Sequence, residues 1–262
     1  MTDRKRLAAA LMLVLLTPAP NAASVVITST LVTLINGKTT RLQLVHTVDG
    51  TRMHVQLIRP DEPGRQGLVD IYDSATGRIV FLDLDKQQAE VHAAPSAAAQ
   101  VEKDLASELV TVDLKATGRA RELLGARCEE YTFMVRAPLT GGATLVRSGS
   151  AWIAREAPGV DEYVAFFRGA GSVLVGGSVR MPKTVLAVDR TDTELYRRLA
   201  GLGGIPYAME MKLEVEGTGL AARMLRGALT WSEAVTTTAV DTSAVPEVTF
   251  AIPAGWKTRL HK

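Results

Sequence analysis

Cysteine is nearly absent from this 262-residue chain: Cys128 is the only one, so no internal disulfide can form and stability has to come from burial. Histidine is scarce as well, with 4 residues. None of them stands at the close spacing zinc sites use, and no metal or cofactor is expected. Beyond residue 23 no apolar run reaches the length of about 18 residues that marks a membrane-spanning helix. Excess charge is also missing. The formal net charge is +2, which leaves no electrostatic footprint for nucleic acid and little attraction to an anionic membrane surface.

What is present starts with the N-terminus. Arg4, Lys5 and Arg6 precede an apolar run from Leu7 to Leu16, followed by helix breakers and small residues from Thr17 to Ala23. That order is the pattern of a secretory signal peptide, and the run is shorter than the roughly 20 residues a span needs. Residues 1–23 are expected to be removed, with the cut after Ala23 or Ala22, and residues 24–262 to form one β-rich domain. The lack of a cysteine near the cut argues against a bacterial lipid anchor. Removal of three basic residues and Asp3 would leave equal numbers of each sign, so the mature protein is expected to be a neutral, exported, periplasmic one. A hydrophobic content of 47% suffices for a sizeable core.

The pattern along the chain is mainly that of antiparallel strands. Val25 to Ile35 is β-branched and ends at Asn36-Gly37, a tight-turn pair. Arg41 to Val48 puts Leu42, Leu44, His46 and Val48 on one face, and Asp49-Gly50 turns into the alternation of Met53, Val55 and Leu57. Leu68 to Tyr72, Arg78 to Leu84 and Gln87 to His92 continue the meander. A helix is predicted from Pro95-Ser96 to about Glu108, with Val101, Leu105 and Leu109 at helical spacing. Val110 to Ala116 returns to period two. Arg127 to Arg136 and Ala143 to Ala154 read as a hairpin, and Pro158 to Arg168 as a short helix stopped at Gly169. A capping box, Thr191-Asp192-Thr193-Glu194, predicts a third helix start, with Leu195, Leu199 and Leu202 as its stripe. Tyr207 to Val215 alternates cleanly, Met224 to Val235 is expected to pair with it, and a last strand is expected around Val248 to Ile252.

No catalytic set converges. Gly176-Gly177-Ser178-Val179-Arg180 begins like a hydrolase elbow and fails at its fifth position. Gly169-Ala170-Gly171-Ser172 follows a helix instead of opening one, and reads as a flexible connection. The segment from Val160 to Gly177 reads as either a lid or a packed loop. His46 interrupts an apolar strand face, His54 falls on a polar one, and His261 lies in a tail where order is not expected. Glu90 and His92 share a strand face, but two ligands do not make a metal site. Cys128 is either a small buried hydrophobe or a free, reactive thiol. The apolar residues Trp152, Phe166, Phe167, Met209, Met211 and Trp231 suit the lining of a cavity for an apolar ligand, and would equally make an ordinary core.

Three short features stand together: Gly125-Ala126-Arg127-Cys128-Glu129-Glu130-Tyr131, then Trp152-Ile153, then Val245-Pro246 with Phe250-Ala251-Ile252-Pro253-Ala254-Gly255-Trp256. In this arrangement the chain resembles a domain-of-unknown-function family of exported bacterial proteins with the fold of the LolA and LolB periplasmic lipoprotein carriers and receptors. The resemblance implies an α+β, mainly antiparallel fold: a curved half-barrel sheet with two or three helices packed on its concave side. It further implies a cavity suited to acyl chains. The expectation is a non-enzymatic envelope protein that binds a lipid or the acylated end of a lipoprotein. The alternative is a protein-interaction or assembly module with a filled core. An enzyme is the least supported reading.

Overall fold

The computed structural model describes residues 24–35, 37–62, 67–104, 110–177 and 183–261. The expected leader (residues 1–23), Asn36 of the first turn, and Leu105 and Leu109 of the first helix stripe lie outside them.

The meander forms where period two predicts it, as β1 (Val25–Ile35), β2 (Lys38–Asp49) and β3 (Arg52–Ile58). Ile27 of β1 stands opposite His46 of β2, which stands opposite Val55 of β3, so one face of all three strands carries the apolar set. Gly37 and Gly50 take positive φ values of 75° and 58°, which the tight turns require. β4 (Leu68–Asp73), β5 (Arg78–Asp83) and β6 (Gln88–Ala93) extend the same sheet antiparallel. After α1 (Ala94–Asp104) come β7 (Thr111–Leu123), β8 (Ala126–Leu139) and β9 (Ala143–Ala154). The helices α2 (Val160–Gly169), α3 (Gly171–Gly177) and α4 (Lys183–Gly201) follow in succession. β10 (Ile205–Glu216), α5 (Leu220–Ala228), β11 (Trp231–Thr242) and β12 (Lys257–His261) complete the order.

The twelve strands among the described residues join one sheet, β12-β6-β5-β4-β3-β2-β1-β11-β10-β9-β8-β7. Every pairing is antiparallel except β12 on β6. The terminal strands β7 and β12 do not pair with each other, so the sheet is open.

Burial on one sheet face organises the helices. Leu195 and Leu199 of α4 pack against Tyr131, Phe133, Ala151, Ile153, Met209 and Val235. Tyr163, Phe166 and Phe167 of α2 join Val25, Ile27, Val48 and Met53. Val173 of α3 meets Ile79, Phe81, Ala94 and Ala97. Towards β6 both faces are covered, because Phe250, Ile252 and Trp256 pack on Val69, Ile71, Val80 and Leu82. Two-sided cover explains why four consecutive residues, Ile79 to Leu82, are all buried in β5.

Six expectations need correction. The Gly169-Ala170-Gly171-Ser172 connection leads straight into α3, and Val173 anchors it in the core. The helix expected to start at Thr191 begins at Lys183, so Thr191 lies mid-helix, fully buried, and is not its N-cap. Met224 belongs to α5, where Ala222, Leu225 and Leu229 recur at helical spacing and cover Leu145, Leu213 and Val215. Met224 itself is 70% exposed, on the opposite side of that helix. The stretch near Val248 is a 3₁₀ turn, Glu247–Phe250, and the tail that follows it is ordered as β12. β7 also runs beyond Ala116. A bulge at Thr117 to Arg119 shifts its register, and Gly118 there has φ 77°. Glu130 of β8 pins the bulge, accepting hydrogen bonds from the Thr117 hydroxyl (2.7 Å) and Arg119 Nη2 (2.6 Å).

Candidate functional site

The site is assembled from α2, α4 and the sheet face beneath them. α2 starts after Gly159, whose φ of 75° and proximity to Val25 leave no room for a side chain. Asp161 and Glu162 in its first turn suit the positive end of the helix dipole. Its buried residues then point Phe167 at β1 and β3. α4 anchors itself through Leu195 and Leu199, both fully buried, and this turns Asp192, Thr193 and Tyr196 towards β10 and β11.

Between these helices and the sheet lies a cavity of about 370 Å³. Ile27, Leu31, Leu44, Met53, Phe167 and Met209 are representative of its apolar wall. The volume falls in the range of small-molecule sites, about 300–1,000 Å³. A second wall is polar: Ser29, His46, Asp192, Thr193, Tyr196 and Glu233. Wider but open hollows, of about 600 and 620 Å³, mark the other face of the sheet around Leu34 and Lys212. The second is edged by Arg223 and Arg226 of α5, but both are more open to solvent than the smaller space, which is the better ligand site.

Behind the polar wall sits Arg147 of β9, only 1% exposed. Its Nη1 forms an ion pair with the Asp192 carboxylate, lies 3.9 Å from Glu233 Oε2, and donates to Met211 Sδ at 3.6 Å. Trp231 Nε1 donates to the other Glu233 oxygen at 2.9 Å. One buried cation thus stands between two carboxylates on different elements, an arrangement that offsets the desolvation of each charge. Burial holds the His46 imidazole pKa at about 4, with the neighbouring His54 adding to the effect. Burial likewise lowers His54. The Tyr196 phenol is pushed up by burial and then by Glu233, against a smaller opposing pull from Arg147. Tyr163 is pushed up by burial and by Tyr196. The cavity therefore presents a neutral imidazole and protonated phenols at neutral pH.

The structure divides the six residues expected to line a cavity. Phe167, Met209 and Met211 line it. Phe166 is in the solid core beside them, 1% exposed. Trp231 shares the sheet face but lies beyond Glu233, against the α5 cluster. Trp152 pairs with Ala208 and Glu130, on the face opposite Met209, where the Arg121 guanidinium stacks over it at 4.0 Å. The β-bulge between Pro206 and Ala208 places Tyr207 beside Cys128 instead. Cys128 is a free thiol with no exposed surface, and burial pushes its pKa up.

Arg147, Asp192, Tyr196 and Glu233 were not singled out from sequence. A signal for two of them exists in the alternation. Arg147 occupies an inward position between Leu145 and Gly149, and Glu233 one between Trp231 and Val235. Charges at inward positions of apolar strand faces are rare unless they are paired.

The described residues thus define a protein with an open, mainly antiparallel sheet and a helix-covered, largely apolar cavity. No family model matches the sequence, and no curated protein matches it. Among solved structures, PNGF-II aligns over 92% of this chain at 10% identity, with a TM-score of 0.38. This chain spans 31% of the PNGF-II chain. A LolA superfamily protein from Nitrosomonas europaea aligns over 88% of this chain and 90% of its own, at 7% identity and a TM-score of 0.28. Both likenesses are weak. No helix among the described residues is long and apolar enough to cross a membrane.

Proposed function

We propose that this is a non-enzymatic, periplasmic protein of LolA/LolB-like fold that holds a hydrophobic ligand, a lipid or a lipoprotein acyl chain. In this reading residues 24–262 form one domain, the sheet is a half-barrel, and α2 and α4 occupy its concave side. The observation that carries the reading is the cavity of about 370 Å³ walled by Phe167, Met209 and Met211. Methionine side chains adapt to irregular apolar guests. Each methylene buried there contributes about 0.8 kcal/mol, offset in part by ordering of the chain. The charged wall of Asp192 and Glu233 marks the end where a polar head group meets the protein. The cavity favours this reading over an interaction module with a filled core.

Purification of the full chain from an envelope fraction, solvent extraction and mass spectrometry test the proposal. Acyl-chain species should be recovered, and Met209→Trp, which fills the cavity, should reduce both their yield and the uptake of a fluorescent fatty acid. Circular dichroism establishes that the variant is folded. Sequencing of the purified N-terminus should begin at Ser24 or Ala23. An empty native protein whose fatty-acid uptake is indifferent to Met209→Trp would overturn the assignment.

A further inference from the structure

The closing strand creates a second cluster, far along the sheet from the cavity. β12 runs parallel to β6 and brings His261 level with His92, while Glu90 stands opposite Arg259 two positions earlier on the same strand face. The two imidazoles stack with centroids 4.1 Å apart and planes 4° from parallel. Glu90 Oε2 lies 3.7 Å from His92 Nε2 and 3.9 Å from His261 Nε2. One ligand atom from each of the three residues falls within 4.8 Å of the other two. Those spacings are too long for hydrogen bonds. His261 Nε2 is nevertheless enclosed and has no hydrogen-bond partner among the described residues. The Phe81 and His92 rings meet in a T-shaped arrangement with centroids 5.4 Å apart, which limits how the imidazole can turn.

We propose that Glu90, His92 and His261 form a binding site for a divalent transition-metal ion, with zinc the best match. Two imidazoles and one carboxylate make a three-ligand zinc set that leaves a fourth position for water or another ligand. Imidazole also suits copper and nickel, whereas calcium and magnesium need more oxygen ligands than this site offers. Zinc bonds of about 2.0–2.2 Å in a tetrahedron put ligand atoms roughly 3.3 Å apart. To reach that value and bring one ion into the plane of both rings, the His261 ring on the edge strand must turn out of its parallel stack on His92. Bound metal would then clip β12 to β6 across the one parallel pairing of the sheet. Lys257 to Leu260 are exposed, so this strand has little cover of its own. A ligand that binds only the docked strand stabilises it by mass action.

The test uses the full chain purified without a polyhistidine tag. Calorimetric titration with zinc, and titration with cobalt followed by visible absorption, should show one ion per chain with a tetrahedral cobalt spectrum. His261→Ala and Glu90→Gln should each weaken zinc binding at least about tenfold, and circular dichroism should show both variants folded. His261→Ala removes a side chain at the end of an edge strand, so it spares the core. Failure of the native chain to bind either ion, or binding that persists undiminished in both variants, overturns the proposal.

Discussion

The Arg147 guanidinium of β9 forms an ion pair with the carboxylate of Asp192 on α4 inside the protein, so a sheet strand and a helix are joined by charge across the cavity wall. Glu233 of β11 lies on the other side of the same guanidinium. The cation is almost fully buried, whereas the Asp192 and Glu233 side chains keep 32% and 18% of their exposure. The carboxylates thus face the cavity while their counter-charge lies behind it.

Arg147→Ala should therefore destabilise the fold by about 3 kcal/mol, the low end for breaking a buried ion pair because the carboxylates stay partly wet. Urea unfolding checks this as a lower midpoint at unchanged slope. Replacing Arg147, Asp192 and Glu233 together with leucine should recover most of the loss, since no charge is then left unpaired. A single variant within 0.5 kcal/mol (roughly the scatter of surface changes) of the native protein would show that the pair carries no such weight.

Stability should fall as the medium is acidified from about pH 6.5 to about pH 4, with His46 as a main contributor. Its native pKa is lowered from 6.5 to about 4. In that window the unfolded chain takes up a proton that the folded chain refuses, so the unfolded state gains. A shift of that size corresponds to at most about 3 kcal/mol. His46→Leu should flatten the slope of stability against pH in this window, as read by urea midpoints at successive pH values. A slope identical to that of the native protein would assign the acid sensitivity to other groups.

Cys128 should be silent towards a thiol reagent in the native protein and react fully once unfolded. It has no exposed surface, and burial raises its pKa against the opposing influence of Arg121, so thiolate is scarce at neutral pH. Labelling with an aromatic disulfide reagent, with and without urea, measures this. Prompt native labelling would mean that the β8 corner opens readily.

The strand edges of the N-terminal meander were legible because their apolar residues repeat every second position and the turns at Gly37 and Gly50 need positive φ. α5 was misread because its apolar residues, Ala222, Leu225 and Leu229, sit in a segment that also continues into a strand. There the helical and extended periods overlap within a few residues. Thr191 looked like a cap because Thr-x-x-Glu is a local signal. Whether a helix starts there depends on the preceding turns, which the motif does not see.

Local pattern alone determined the strand-rich class, the inward set of Met209 and Met211, and the lack of a second cysteine to bridge Cys128. Those properties follow from side-chain alternation and composition, which need no partner. Tertiary structure alone decided that Phe166 fills the core while Phe167 lines a cavity, that Arg147 meets Asp192 across 45 residues of sequence, and that His261 returns to His92. Those outcomes depend on which distant segments share a sheet neighbour or a helix face, and no short-range period in the chain encodes that.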